Sequence, residues 1–353
     1  LFRPLPFFSP PGRVHAAGRY YVVEKGTLDI SLLVNYLSGV ACRGGVFHII
    51  NQRSPVMRKV WLTALAALLT LGTPLGSASA AGDEVRFVQA DGISVAYTEK
   101  GTGEPLVLLH GGGLTSAMWG KQVDALAAHY RVILPDTRGH GRTDNPDHAF
   151  GYTLLADDVA AFCRALGLEK PIIMGYSDGG ITTLTVGIRH PELARALVVG
   201  GAVPPVEAED MRHYFEGMAA YYAPVTKRAD LTDADLDAMY KADPESWSFF
   251  AKQHAKPGRD DFWRTLMKDV WNTWNQPESY AYTAEQLAAV HVPVLVVLGD
   301  RDEFFRPVSA ARLADALPAG ELAVVPGAGH NAFRAKAELF NSLVLDFLRR
   351  QGA

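Results

Sequence analysis

The chain holds 353 residues, 48% of them hydrophobic and 20% charged, with a formal charge of −4. That composition excludes fibrous and disordered classes and fits a globular protein with a sizeable core. Two acidic and eight basic residues fall within the first 81 positions, so the remainder carries 36 acids against 26 bases, a formal charge of −10, which excludes nucleic acid and anionic membrane surfaces as expected partners.

In chain order, Met57 opens the run MRKVWLTALAALLTLGTPLGSASAAGDEV. Arg58 and Lys59 supply a positive start, residues 60–71 an apolar stretch, and Ala78-Ser79-Ala80 an A-x-A cleavage site, the three parts of a secretory signal peptide. Some twelve apolar residues are too few to cross a bilayer, which takes roughly 20. The expectation is therefore a leader over 57–81, a secreted or periplasmic product, and no stable membrane insertion after cleavage. Residues 1–56 show no steady apolar period and are expected to be translated upstream DNA, outside the working protein. The mature chain would begin at Ala81 or Gly82. Cys42 precedes that point and Cys163 follows it alone, so the core must supply stability without an internal disulfide. Cys163, in the run DDVAAFCRALGL, reads as a buried helical residue.

From residue 85 onward, short apolar runs alternate with helix-length segments. VRFVQ and ISVAYTE read as a hairpin through Asp91-Gly92. PLVLLH, RVILPD, PIIMGYS, RALVVGG, PVLVVLGD and LAVVPG follow, most of them near-continuous apolar runs of the kind covered on both faces in a parallel sheet. Helical patterns at 154–166 and 339–348 lie between or after them. The alternation predicts an α/β fold, a mostly parallel, doubly wound sheet of eight strands with helices on both faces, its core over 82–202 and 292–353. Residues 203–291 carry no strand pattern and many aromatics, and read as a helical cap insertion. Most of these aromatics are expected to glue the cap to the body. Trp271 and Trp274 are expected to bind substrate, because such an insertion overhangs the carboxyl ends of the strands, where open α/β sheets take ligands.

The chemistry centres on GYSDG at 175–179, a G-x-S-x-G elbow that places Ser177 on a tight turn between strand and helix. Serine is a weak nucleophile until a base takes its proton, and the base needs a carboxylate to orient it. The order for this architecture is Ser, then Asp or Glu, then His. His330, after the last strand in AGHNAF, is the expected base. Asp300, Asp302 and Glu303 all lie near the place for the acid; Asp302 is preferred because it stands far enough past the strand to turn toward the histidine. HGGG at 110–113 follows an early strand and offers oxyanion donors, with Gly112 the first choice and Gly113 the second. The amide of Asp178 is the other donor. No Gly-Lys-Ser/Thr follows HGGG, so a phosphate loop is not expected, and neither metal-ligand spacing nor a cofactor fingerprint is found.

HGGG, PDTRGHGRT, GYSDGG, GDRD and GAGH occur in the order of the α/β-hydrolase superfamily, which the chain resembles from about residue 83 to its end. The resemblance implies a serine hydrolase without metal or cofactor, acting on a small-molecule ester. It also implies that PDTRGHGRT is a structural loop, so Arg138 and His140 are not expected to be catalytic. Serine at 177 sets the chain apart from haloalkane dehalogenases and epoxide hydrolases, which carry Asp there. GYSDGGIT is similar to the elbow of the biphenyl-hydrolase-like, or valacyclovirase, group, in which the Asp after the nucleophile recognises an α-amino group. Asp178 matches that position, although a carboxylate in the first turn of a helix is also favoured by the helix dipole. Rival expectations keep the fold as a lactonase, C–C hydrolase, aminopeptidase or cofactor-free perhydrolase, or lose catalysis for ligand binding.

Overall fold

The computed structural model describes residues 15–17, 20–22, 84–204, 207–222 and 230–352. The proposed leader lies outside them, as does most of 1–56. The chain divides into two units, Leu1–His15 with Val22–Ala78, and Ala16–Tyr21 with Ser79–Ala353; the second unit holds nearly all of the described residues. Short strands β1 (His15–Ala17) and β2 (Tyr20–Val22) precede the eight expected ones: β3 (Arg86–Ala90), β4 (Ile93–Lys100), β5 (Pro105–Leu109), β6 (Arg131–Pro135), β7 (Ile172–Tyr176), β8 (Ala196–Gly200), β9 (Val294–Gly299) and β10 (Gly320–Val325). They form one sheet in the order β1-β2-β10-β9-β8-β7-β5-β6-β4-β3, and β2 adds at the β10 edge through Tyr20 and Tyr21.

The hairpin turns on Asp91 and Gly92, both at positive φ, +47° and +79°, the backbone of a type I′ turn. It sets β3 and β4 antiparallel, and β4 runs antiparallel to β6. The remaining pairings from β6 through β10 are parallel, which requires a crossover between strands and a covered sheet. Every residue of β7, β8 and β9 is buried.

The helices are α1 (Val123–Ala127), α2 (Tyr152–Ala165), α3 (Asp178–Arg189), α4 (Ala208–Tyr221), α5 (Asp233–Ala242), α6 (Pro244–His254), α7 (Phe262–Trp274), α8 (Ala284–Ala288), α9 (Pro307–Ala316), α10 (Ala332–Ala335) and α11 (Ala337–Arg350). Leu155, Val159 and Phe162 of α2 and Ile181 and Leu184 of α3 join Val107, Ile173, Val199 and Val296 of the strands in one apolar cluster. Cys163 is buried in that cluster, and its burial pushes the thiol pKa up to about 12. Helices α4 to α7 fill the cap with a second apolar cluster built on Trp263, Leu266, Val270 and Trp271. Among the described residues, no helix is long and apolar enough to cross a membrane.

The strand order reverses at β5, which lies between β6 and β7. Loops leaving the carboxyl ends of β5 and β7 therefore diverge to opposite faces and open a crevice between them, the place where such sheets bind ligands. HGGG leaves β5 and the GYSDG elbow leaves β7.

Candidate active site

Ser177 lies between β7 and α3 with φ 57° and ψ −122°, a conformation costing on the order of 1–3 kcal/mol. The elbow is tight enough that a Cβ on Gly175 would stand 1.9 Å from the Gly179 carbonyl oxygen. Only glycine fits there. Because α3 begins at Asp178, the Asp178 amide is a first-turn N–H with no intrahelical acceptor, and it points out of the helix beside the serine.

His330 stands over the elbow. Its Nε2 is 3.1 Å from Ser177 Oγ, and its Nδ1 is 3.0–3.1 Å from both oxygens of Asp302. Asp302 is 4% exposed and also accepts from the Phe304 and Phe305 amides at 2.9 and 3.1 Å, so its carboxylate is anchored as well as paired. Asp300 accepts from the Ala328 amide at 3.1 Å and braces the histidine loop. Glu303 accepts from the backbone N–H of His330 at 2.7 Å. Burial opposes charge on His330, but the Asp302 carboxylate, with help from Glu303 and Asp178, outweighs it and holds the imidazole pKa above 6.5. A proton taken from Ser177 thus finds a base that Asp302 orients through Nδ1 and stabilises when charged.

The amides of the HGGG loop can be accounted for one by one. Gly111 donates to Met118 Sδ at 3.1 Å. Gly113 donates to His140 Nε2 at 3.0 Å, so the second-choice oxyanion donor is already engaged. Gly112 lines the cavity above Ser177. A Cβ at 112 would meet Asp178 Oδ2 at 1.6 Å, so any side chain there would displace that carboxylate.

A cavity of about 130 Å³ reaches Ser177 and His330, walled by Tyr152, Tyr214, Met218, Tyr222, Trp274 and Phe305 among others. Among the described residues, Asp178 and His330 are its ionisable groups other than tyrosine, and no Lys or Arg lines it. Asp178 Oδ1 accepts from Tyr152 Oη at 2.6 Å, and both of its oxygens lie 2.9 Å from Trp274 Nε1. The single indole N–H is thus shared between the two carboxylate oxygens, and the Tyr152 hydroxyl holds Oδ1. Burial raises the Asp178 pKa against the opposing pull of Tyr152, Trp274, His330 and Gly112.

The family profile described as alpha/beta hydrolase fold matches residues 104–336. The chain belongs to that family. This hydrolase is 30% identical over 279 residues to the 2-hydroxy-6-oxo-6-(2'-aminophenyl)hexa-2,4-dienoic acid hydrolase of Metapseudomonas resinovorans, covering 75% of this chain and 91% of that one. It is 29% identical over 284 residues to the serine hydrolase BPHL of Homo sapiens, covering 78% and 90%. A meta-cleavage product hydrolase from Pseudomonas fluorescens IP01 shares its fold, with a TM-score of 0.61 at 24% identity over 75% of this chain and 97% of that one.

One expected substrate-binding residue of the hydrolase is corrected by the structure. Trp271 is 2% exposed in the cap cluster, where Tyr222 packs edge-on at 5.7 Å, and it does not line the cavity. Trp274, three residues on, presents its indole N–H to Asp178. Arg138 forks Asp158 of α2 through two bonds of 2.7 Å, which ties the loop after β6 to the core. Tyr152, Phe304, Phe305 and His254 escaped the sequence reading because no local motif marks them; only the meeting of separate elements brings them to the site.

Proposed function

We propose that this hydrolase cleaves carboxylic esters of small neutral acyl groups through an acyl-enzyme on Ser177. Ser177 Oγ attacks the ester carbonyl carbon as its proton passes to His330 Nε2, with Asp302 holding Nδ1. The tetrahedral oxyanion rests on the amides of Gly112 and Asp178, donors aimed where charge develops. Its collapse breaks the C–O bond, and the departing alcohol takes the proton from His330. Water then gives a proton to His330 and attacks the acyl carbon, releasing the carboxylic acid and restoring the serine. The observation that carries this reading is the continuous chain from Ser177 Oγ through His330 to Asp302.

The cavity lining argues for the substrate class. About 130 Å³ of aromatic-walled space suits an acetyl- to benzoyl-sized acyl group. A carboxylate-bearing substrate such as a dienoic acid would meet the Asp178 carboxylate, with no Lys or Arg in the lining among the described residues, so C–C cleavage of such an acid is the weaker reading. The Trp274 and Tyr152 bonds of Asp178 argue that it ties the cap to the core instead of reading a substrate ammonium.

The test compares kcat/KM for p-nitrophenyl acetate, butyrate and octanoate, an aminoacyl ester, a lactone and a dienoic acid in wild type and Asp178→Asn. Short neutral esters should lead the ranking, and the substitution should depress all esters alike. A loss confined to the aminoacyl ester would restore amine recognition to Asp178. Turnover of the dienoic acid alone would overturn ester cleavage.

A further inference from the structure

The oxyanion loop is a turn held by three imidazoles, one of them from the cap. Leu114 N–H donates to the Gly111 carbonyl at 3.1 Å, and Gly113 has φ +66°. Gly111–Leu114 is therefore a β-turn with its positive-φ residue third, as in type II. His110 Nε2 accepts from the Thr137 amide at 3.0 Å, so its Nδ1 carries the proton and donates to the Gly111 carbonyl at 2.8 Å. In a trans peptide C=O and N–H point opposite ways, so this bond aims the Gly112 N–H. His140 Nε2 accepts from Gly113 N–H, and its protonated Nδ1 donates to the Arg138 carbonyl at 3.0 Å. His254 closes α6 in the cap. Its Nδ1 accepts from the Gly141 amide at 2.9 Å, leaving Nε2 protonated to donate to the Gly113 carbonyl at 3.2 Å.

Each ring thus spends one nitrogen as acceptor and one as donor on backbone groups, the pattern of a neutral imidazole. His254 is fully buried against Phe250, ring centroids 4.5 Å apart, and has no part in the proton path of Ser177. A turn with three glycines has little stiffness of its own, so its shape depends on these outside bonds.

We propose that His254 is a positioning residue of the oxyanion hole: by holding the Gly113 carbonyl it keeps the Gly111–Leu114 turn in the form that presents the Gly112 amide, and so makes transition-state binding depend on a seated cap. This rests on the reading of Ser177 as an ester nucleophile. Lys256 separates this role from cap docking in general. Its Nζ donates to the Gly141 and Thr143 carbonyls at 2.6 and 2.7 Å, gripping the same neighbouring loop without touching Gly113.

The experiment measures kcat and KM for p-nitrophenyl acetate, and the rate of Ser177 labelling by a fluorophosphonate, in the full chain and in His254→Leu, His254→Gln and Lys256→Met. Folding is checked by thermal melts. His254→Leu should lose about a hundredfold in kcat and in labelling rate, the scale of one oxyanion donor, with KM within about threefold. His254→Gln, whose amide reaches Gly113 with a donor, should recover most of the loss, and Lys256→Met should stay within about threefold of wild type. If the leucine variant does not fold, His254→Asn replaces it with the same expectation, since its amide can accept from Gly141 but falls short of Gly113. Wild-type kcat in the folded leucine or asparagine variant, equal losses in it and His254→Gln, or an equal loss in Lys256→Met would each overturn the proposal. A wild type inert to both ester and fluorophosphonate would instead overturn the ester reading beneath it.

Discussion

Glu303 stands beside His330 without belonging to the chain that runs from Ser177 to Asp302. Its carboxylate accepts the backbone N–H of His330 and adds to the field that raises the imidazole pKa. His330 must be neutral to act as base, so kcat/KM should fall as pH drops through that raised pKa, with the acid limb above pH 6.5. Glu303→Gln keeps an oxygen for the backbone bond but removes the charge. Its acid limb should therefore move to lower pH, most at low ionic strength because the carboxylate is exposed and screened; a pH–rate profile that stays in place would contradict this account of His330. The same residue shows what sequence reading can resolve. Serine and histidine were legible because the chemistry fixes their type and the fold fixes their order. Asp300, Asp302 and Glu303 are three carboxylates within four positions, and only the direction of each side chain separates brace, partner and backbone clasp.

At the scale of elements, the strands were readable because a buried parallel sheet demands unbroken apolar runs, and β7, β8 and β9 supply them. The cap was readable as helical but not as a set of roles. Trp271 and Trp274 share a helix and nearly a face, yet one is core and the other reaches Asp178. Tyr222 packs against both rings, so the difference lies in what else each one meets: the Asp178 carboxylate and the cavity for Trp274, the buried cap cluster for Trp271. Because Trp271 is 2% exposed and central to the cap cluster, Trp271→Ala should destabilise the protein by about 3–5 kcal/mol in chemical denaturation. A loss below about 1 kcal/mol would mean that the cap is not packed as described. The His254 contact with Gly113 was equally hidden, joining positions 141 residues apart.

For the whole molecule, a strand order that reverses at β5 gathers the serine elbow, the HGGG turn, the Asp302 loop and the His330 loop at one crevice, and the cap roofs it through Trp274 and Tyr214. The signal-peptide pattern over 57–81 adds the proposal that this hydrolase is exported and works as the chain from Ala81 or Gly82. Mass spectrometry of the secreted natural product should find that start, and a peptide from before residue 57 would contradict it. The role of Ser177 as nucleophile is tested by p-nitrophenyl acetate hydrolysis in wild type and Ser177→Ala, with intact-mass detection of the acyl-enzyme. A transient acetyl adduct should form on the wild type, and removing the hydroxyl should cost at least about a thousandfold in kcat. Equal rates in two folded proteins, with no adduct in either, would contradict that role.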